Sequence, residues 1–200
     1  AWRADTTFVP ALIYAAIAAM NDGARLRSDS LLETVARFRP QLSAYHATYT
    51  DALVAARDGD FALALTHTTK AMELASGTRA SYNAANFLTS LNRPEEADEM
   101  LRSLDPDHGP MRDWPSYWNQ RAHASHLLGR YDDELMAARE LKRRFPKQRS
   151  ALVIEARALA ALGRRAEVDS LLIAAETLDP DVYWSQGAMR QVAAEEFALH

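Results

Sequence analysis

Two histidines near the middle of the chain have a spacing that could support metal binding. His123 and His126 lie three residues apart, which places both imidazoles on one face of a helix. No third metal ligand is evident nearby, because the acidic pair Asp132 and Asp133 lies in the predicted turn beyond this helix. We therefore expect no metal ion, and interpret the two histidines as polar side chains that face a groove.

Two acidic pairs could in principle supply carboxylates for general acid–base catalysis, Glu95 with Glu96 and Asp132 with Asp133. Each pair follows a predicted turn and opens a helix, where negative charge complements the helix dipole. Helix capping is therefore the favoured interpretation. The sequence has no cysteine, no Gly-x-Ser-x-Gly elbow and no glycine-rich phosphate loop. It predicts a protein without catalytic activity and without a cofactor.

The charge pattern argues against nucleic-acid binding. The net charge is −4 at pH 7, whereas proteins that bind nucleic acids through general electrostatics carry a basic face. A basic run from Arg139 to Arg144 lies late in a predicted helix, where cations complement the helix dipole. We interpret this run as a solvated helix end and expect no nucleic-acid partner.

Composition predicts a soluble globular chain. Of its 200 residues, 48% are hydrophobic and 25% are charged. The most apolar stretch, residues 9–20, is shorter than the roughly 20 residues of a membrane-spanning helix. We expect no membrane span and a soluble protein of the cytoplasm or periplasm. The sequence begins without a methionine, so we expect a processed product or a piece of a longer protein.

The elements that position these residues repeat along the chain. A turn residue recurs at intervals of 36, 33, 37 and 34 residues, at Gly23, Gly59, Asn92, Gly129 and Gly163. An alanine recurs in the same phase, seven residues earlier, at Ala16, Ala52, Ala85, Ala122 and Ala156. A proline closes several of the units, at Pro40, Pro146 and Pro180. Such a period indicates stacked repeats.

Each unit has the pattern of a helix, a short turn and a second helix. In residues 150–162 apolar side chains recur with the three- and four-residue spacing of a helix face. Gly163 permits the left-handed backbone that ends a helix, and Pro180 stops the following helix. The central alanine allows two antiparallel helices to approach closely where they cross.

These residues resemble the tetratricopeptide repeat (TPR) family. The clearest copy carries Trp118, Ala122, Gly129, Tyr131, Ala138, Phe145 and Pro146. A second copy carries Leu152, Ala156, Gly163, Leu172, Ala175 and Pro180. The resemblance implies an all-α fold, a right-handed superhelical solenoid of antiparallel helix pairs. We expect one domain over residues 1–200, with repeats at about 9–42, 45–77, 78–111, 115–148 and 149–182 and a terminal helix at 183–200.

Several positions depart from the family pattern. Glu134 and Val168 stand where a small residue is preferred on the second helix. Charged residues replace the leucine before the alanine column at Asp51, Arg121 and Glu155. We expect locally adjusted helix crossings at these places. Trp118, which follows the long break at residues 105–113, is expected in the core, while Trp114 is either a packing staple or a contact residue.

The resemblance implies a protein-interaction module whose first helices line a concave binding face. The residues expected there are Arg79, Tyr82, Asn83, Asn86, Asn119, Gln120, His123, His126 and Arg157. Their amides could hold the backbone of an extended peptide, and the arginines could attract an acidic or C-terminal segment. Alternatively, the amides only solvate the inner surface.

Two settings fit such a module. The first is a non-catalytic scaffold or sensor region of a larger protein, similar to the repeats that follow kinase or transcription-regulator domains in bacteria. The alternative is an accessory subunit that docks in a larger assembly, such as a membrane complex. In both, the partner is a protein or peptide. The sequence predicts no oligomeric state.

Overall fold

The computed structural model describes residues 8–21, 23–178 and 185–200, and within these ranges all regular structure is helical. The α-helices are α1 (Pro10–Asn21), α2 (Arg25–Arg37), α3 (Ala44–Arg57), α4 (Phe61–Leu74), α5 (Ala80–Ser90), α6 (Pro94–Arg102), α7 (Pro115–Leu127), α8 (Tyr131–Arg144), α9 (Ser150–Ala161), α10 (Arg165–Ala175) and α11 (Gln186–Leu199). Short 3-10 turns occur at Arg39–Gln41 and Gly109–Met111. The predicted all-α class is confirmed.

The chain forms two compact units, one ending at Asn92 and one beginning at Arg93. In the first unit α1 packs on α2, α3 on α4, and α4 on α5. In the second unit α7 packs on α8, α8 on α9, and α9 on both α10 and α11. Contact between helices that are neighbours in the sequence is the organisation of a helical repeat protein.

The predicted turn residues adopt the backbone conformation that their types allow. All five have a positive φ, for example 69° at Gly163 and 57° at Asn92. Glycine reaches this region without steric cost, and asparagine tolerates it better than most residues. Pro180 and the first residues of the predicted terminal helix lie outside the described residues, and α11 begins at Gln186.

The predicted alanine column is buried throughout. Its five members are at most 1% exposed: Ala16, Ala52, Ala85, Ala122 and Ala156. Larger side chains surround the column and form the core of each unit. In the second unit one core cluster contains Leu135, Leu159 and Val168. A small residue at each crossing therefore allows the close helix contact that the sequence predicts.

We expect Ala156→Leu to lower the free energy of unfolding by about 1–3 kcal/mol, because three added carbon atoms overpack a site without free space. Urea denaturation of the intact chain measures the change. Ala174→Leu is the matched control, since Ala174 is an exposed residue of α10. Equal stability of Ala156→Leu and the wild type would show that the alanine column is not a line of close contact.

Within the described part of the chain, none of the helices combines the length and the apolar character that crossing a membrane requires.

Candidate functional site

In the first unit the predicted binding residues lie on α5 or directly before it. Arg79 precedes the first residue of α5 and is exposed, as is Asn86, while Tyr82 and Asn83 are half-buried. Asn83 Nδ2 donates a hydrogen bond of 2.7 Å to Tyr49 Oη on α3. The amide of Asn83 therefore links two helices, and Asn86 is the more accessible amide of this unit.

Aromatic side chains of α3 lie beside Asn83. The rings of Tyr45 and Tyr49 are stacked with centroids 5.6 Å apart and an interplanar angle of 10°. Burial raises the pKa of both hydroxyl groups, most strongly that of Tyr49, so both stay protonated at neutral pH. The prediction did not include these tyrosines. The sequence feature that could have indicated this contact is the separation of Tyr49 and Asn83 by 34 residues, the length of one repeat.

In the second unit four predicted residues lie on α7 and one on α9. Asn119 Oδ1 accepts a hydrogen bond of 3.4 Å from Ser150 Oγ. Gln120 is only 8% exposed. His123 is exposed, whereas His126 and Arg157 are half-buried. The five residues thus differ in accessibility, and His123 is the most open of them.

His126 and Arg157 meet at the carboxylate of Glu134, which the sequence did not indicate as a site residue. Glu134 is completely buried on α8. Its Oε1 accepts a hydrogen bond of 2.7 Å from Arg157 Nε, and its Oε2 lies 2.8 Å from His126 Nδ1. On the other side of the ring, His126 Nε2 lies 3.4 Å from Glu196 Oε1 on α11. We call His126, Glu134, Arg157 and Glu196 the Glu134 cluster.

The Glu134 cluster explains an unusual residue choice. A buried carboxylate is stable only when charged or polar groups compensate it. Here one guanidinium and one imidazole do so, from two different helices. Glu134 thus links α8 to α7 and α9, which explains why a glutamate stands where the family pattern has a small residue.

The two histidines of α7 have different surroundings. Partial desolvation lowers the pKa of His123, and the positive charge of Arg157 lowers it further, so His123 is neutral at neutral pH. His126 directs both ring nitrogens at carboxylates instead of sharing a ligand with His123. Within the described residues no group of three histidine or acidic side chains has an arrangement that could hold a metal ion.

A further buried carboxylate explains the departure from the family pattern at Arg121. Asp98 on α6 is 2% exposed and accepts hydrogen bonds from Arg102 and Arg130, at 2.8 and 2.7 Å. Arg121, one of the charged replacements, lies 3.8 Å from the same carboxylate. Arg121 of α7 therefore takes part in an ion pair with α6.

The basic run at the end of α8 is not simply a solvated helix end, as the sequence analysis proposed. Arg139 and Lys142 contact the buried carboxylate of Glu155 on α9, which replaces a family leucine. Arg143 and then Arg144 donate hydrogen bonds to Glu140 and lower its pKa to about 2. The run is neutralised by acidic partners on α8 and α9, which argues further against a phosphate-binding role.

A cleft of about 440 Å³ opens beside the long loop between α6 and α7. Its lining residues are Pro106, Asp107, His108, Arg112, Asp113, Trp118, Arg144 and Phe145. Trp118 is half-buried here, so its predicted place in the core is wrong. The indole instead lines the cleft, with the guanidinium of Arg144 4.9 Å from the centre of its ring.

No family model and no curated protein matches the chain. Solved structures do. One similar structure is YrrB, described as a TPR protein with an unusual peptide-binding site, with 16% identity, a TM-score of 0.60 and coverage of 97% of this chain and 94% of that chain. Another is a MamA RS-1 ArsTM double mutant, with 12% identity, a TM-score of 0.56 and coverage of 96% and 95%. This chain therefore has the helical-repeat fold of tetratricopeptide repeat proteins.

Proposed function

We propose that the protein is a non-catalytic interaction module that binds an extended peptide or a partner domain along the first helices of its pairs. The observation that carries this proposal is a polar residue directly after three of the five buried alanines. Asn86, His123 and Arg157 each follow one alanine of the column. Asn86 and His123 are exposed, on helices whose opposite side is apolar.

The fold supports this proposal, because stacked helix pairs present extended surfaces to other proteins. YrrB, whose fold is similar, is described as having a peptide-binding site. Two of the amides proposed for peptide binding already have partners within the chain, Asn83 with Tyr49 and Asn119 with Ser150. The charge of Arg157 is compensated by Glu134. We therefore place the main polar contact to a peptide at Asn86.

We expect Asn86→Ala to weaken binding to the natural partner by about 2- to 10-fold, the effect of one lost hydrogen bond. The partner is the protein that co-purifies with the tagged full chain from its native cells, and calorimetric titration then gives the affinity. Asn119→Ala should have a smaller effect, because Ser150 already holds that side chain. If the co-purified material is a multisubunit assembly, the result favours an accessory subunit.

The control variant is Gln41→Ala, which removes an exposed amide from a 3-10 turn outside the predicted face. It should bind as the wild type does. Circular dichroism verifies that each variant keeps its helical content. Unchanged affinity in both Asn86→Ala and Asn119→Ala would contradict the proposed face and direct attention to the cleft beside Trp118.

A further inference from the structure

The last helix is attached to the second unit by both apolar and polar contacts. Met189 is completely buried in a cluster with Leu152 and Ala156 of α9. Farther along α11, the guanidinium of Arg165 lies 4.4 Å from the centre of the Phe197 ring. Between Met189 and Phe197 lies Glu196, a carboxylate that is only 7% exposed.

The contact of Glu196 with His126 depends on the protonation of the imidazole. His126 has Glu134 Oε2 at 2.8 Å from Nδ1 and Glu196 Oε1 at 3.4 Å from Nε2. A neutral imidazole has a hydrogen on only one nitrogen, so it can donate to only one carboxylate. The imidazolium pairs with both carboxylates, through a charge-assisted hydrogen bond to Glu134 and through an ion-pair contact of 3.4 Å to Glu196.

We propose that His126 is a proton-dependent clamp that fastens α11 to α7, so that loss of its proton loosens α11. Opening of α11 would uncover the apolar side of α9 together with His126, one of the predicted partner-binding residues. Access of a partner to this surface rests on the proposed function, whereas the clamp itself does not.

The groups around His126 determine which contact is lost on deprotonation. They are His123 on α7, Tyr131 and Glu134 on α8, Arg157 on α9, and Glu196 and His200 on α11. Glu134 keeps its ion pair with Arg157 when the imidazole becomes neutral. Glu196 keeps the contact with His200, whose Nε2 lies 3.5 Å from Glu196 Oε2. Glu134 Oε2 is also the nearer acceptor, at 2.8 Å against 3.4 Å, so a neutral ring keeps its hydrogen bond to Glu134 and loses its ion pair with Glu196. Deprotonation therefore weakens attachment to α11 more than attachment to α8.

The sign of the pH dependence follows from these contacts. Histidine side chains ordinarily lose their charge as the pH rises from 5 to 8, and carboxylic acids ionise below that range. Because a rising pH removes the proton of an imidazolium and leaves carboxylates ionised, the clamp is weaker at higher pH than at lower pH. His123, with its lowered pKa, adds little opposing charge over the same range.

Hydrogen exchange of the full chain, followed by mass spectrometry at about pH 6 and about pH 8, tests the clamp. After correction for intrinsic exchange rates, we expect the amides of α11 to be about three- to tenfold less protected at the higher pH, the effect of one partly buried ion pair. Glu196→Gln and His126→Gln should each remove the difference, because neither variant can form an imidazolium–carboxylate pair. His108→Gln should retain it, since His108 is an exposed histidine of a distant loop.

His200→Gln distinguishes the two histidines that contact Glu196 and should retain the pH dependence. Equal protection of α11 at both pH values in the wild type would overturn the proposal. So would a difference that disappears in His200→Gln but persists in His126→Gln, because His200 would then be the titrating group. Exchange requires no partner, so a failure of the proposed binding function would leave these outcomes unchanged.

Discussion

Glu134→Ala is expected to lower the free energy of unfolding by about 3 kcal/mol, near the lower end of the range for breaking a buried ion pair. The substitution leaves Arg157 and His126 facing a cavity that no carboxylate fills. Both side chains are partly exposed, 23% for Arg157 and 22% for His126, so water can reach them and reduce the cost. Urea denaturation of the intact chain, followed by circular dichroism, measures the change.

Two variants control this result. Glu134→Gln keeps the volume and one acceptor and should cost less than Glu134→Ala, because only the charge is lost. Glu99→Ala removes an exposed carboxylate from α6 and should change stability by no more than about 0.5 kcal/mol. If Glu134→Ala were as stable as Glu99→Ala, the Glu134 cluster would have no role in holding α7, α8 and α9 together.

Local constraints explain why the fold was predictable. A residue such as Gly163 must adopt a left-handed backbone, and a residue such as Ala156 must fit where two helices cross. Each constraint restricts the residue type at one position, whatever the rest of the chain does. Repetition at intervals of about 34 residues makes such restrictions visible in a single sequence.

The Glu134 cluster could not be predicted in the same way. Glu134 meets His126 and Arg157 across sequence separations of 8 and 23 residues, on two other helices. Their meeting depends on how far each helix is rotated about its axis, and the hydrophobic pattern fixes that rotation only coarsely. A charged residue at a position that prefers a small one indicated an unusual environment, but not the identity of its partners.

The partners of the predicted amides could not be predicted from the sequence either. The sequence placed Asn83 and Asn119 on the first helices, where the structure has them. It did not predict that Tyr49 and Ser150 would bind them, since each partner lies about one repeat away, at 34 and 31 residues. Pairs of polar residues separated by about one repeat are therefore a useful signal of contacts between adjacent repeats.

We expect Leu159→Ala to lower the free energy of unfolding by about 2–5 kcal/mol, because it opens a cavity in a closely packed core. Leu159 is 2% exposed and belongs to the cluster that contains Leu135 of α8, Val168 of α10 and Ala193 of α11. Side chains from four helices meet there, so the structure has little freedom to collapse around the missing atoms. Urea denaturation of the intact chain again provides the measurement.

Ile173→Ala is the matched control, because it shortens a branched aliphatic side chain of α10 that is 67% exposed. Its effect should stay within about 0.5 kcal/mol, and equal losses in the two variants would contradict the assignment of Leu159 to the core.

Leu159→Ala also distinguishes an effect of lost packing from an effect of the His126 clamp. Lost packing should reduce the protection of α11 by the same factor at about pH 6 and at about pH 8, because no titrating group is changed. Glu196→Gln should instead abolish the difference between the two pH values, since it removes the carboxylate that forms the ion pair with the imidazolium of His126.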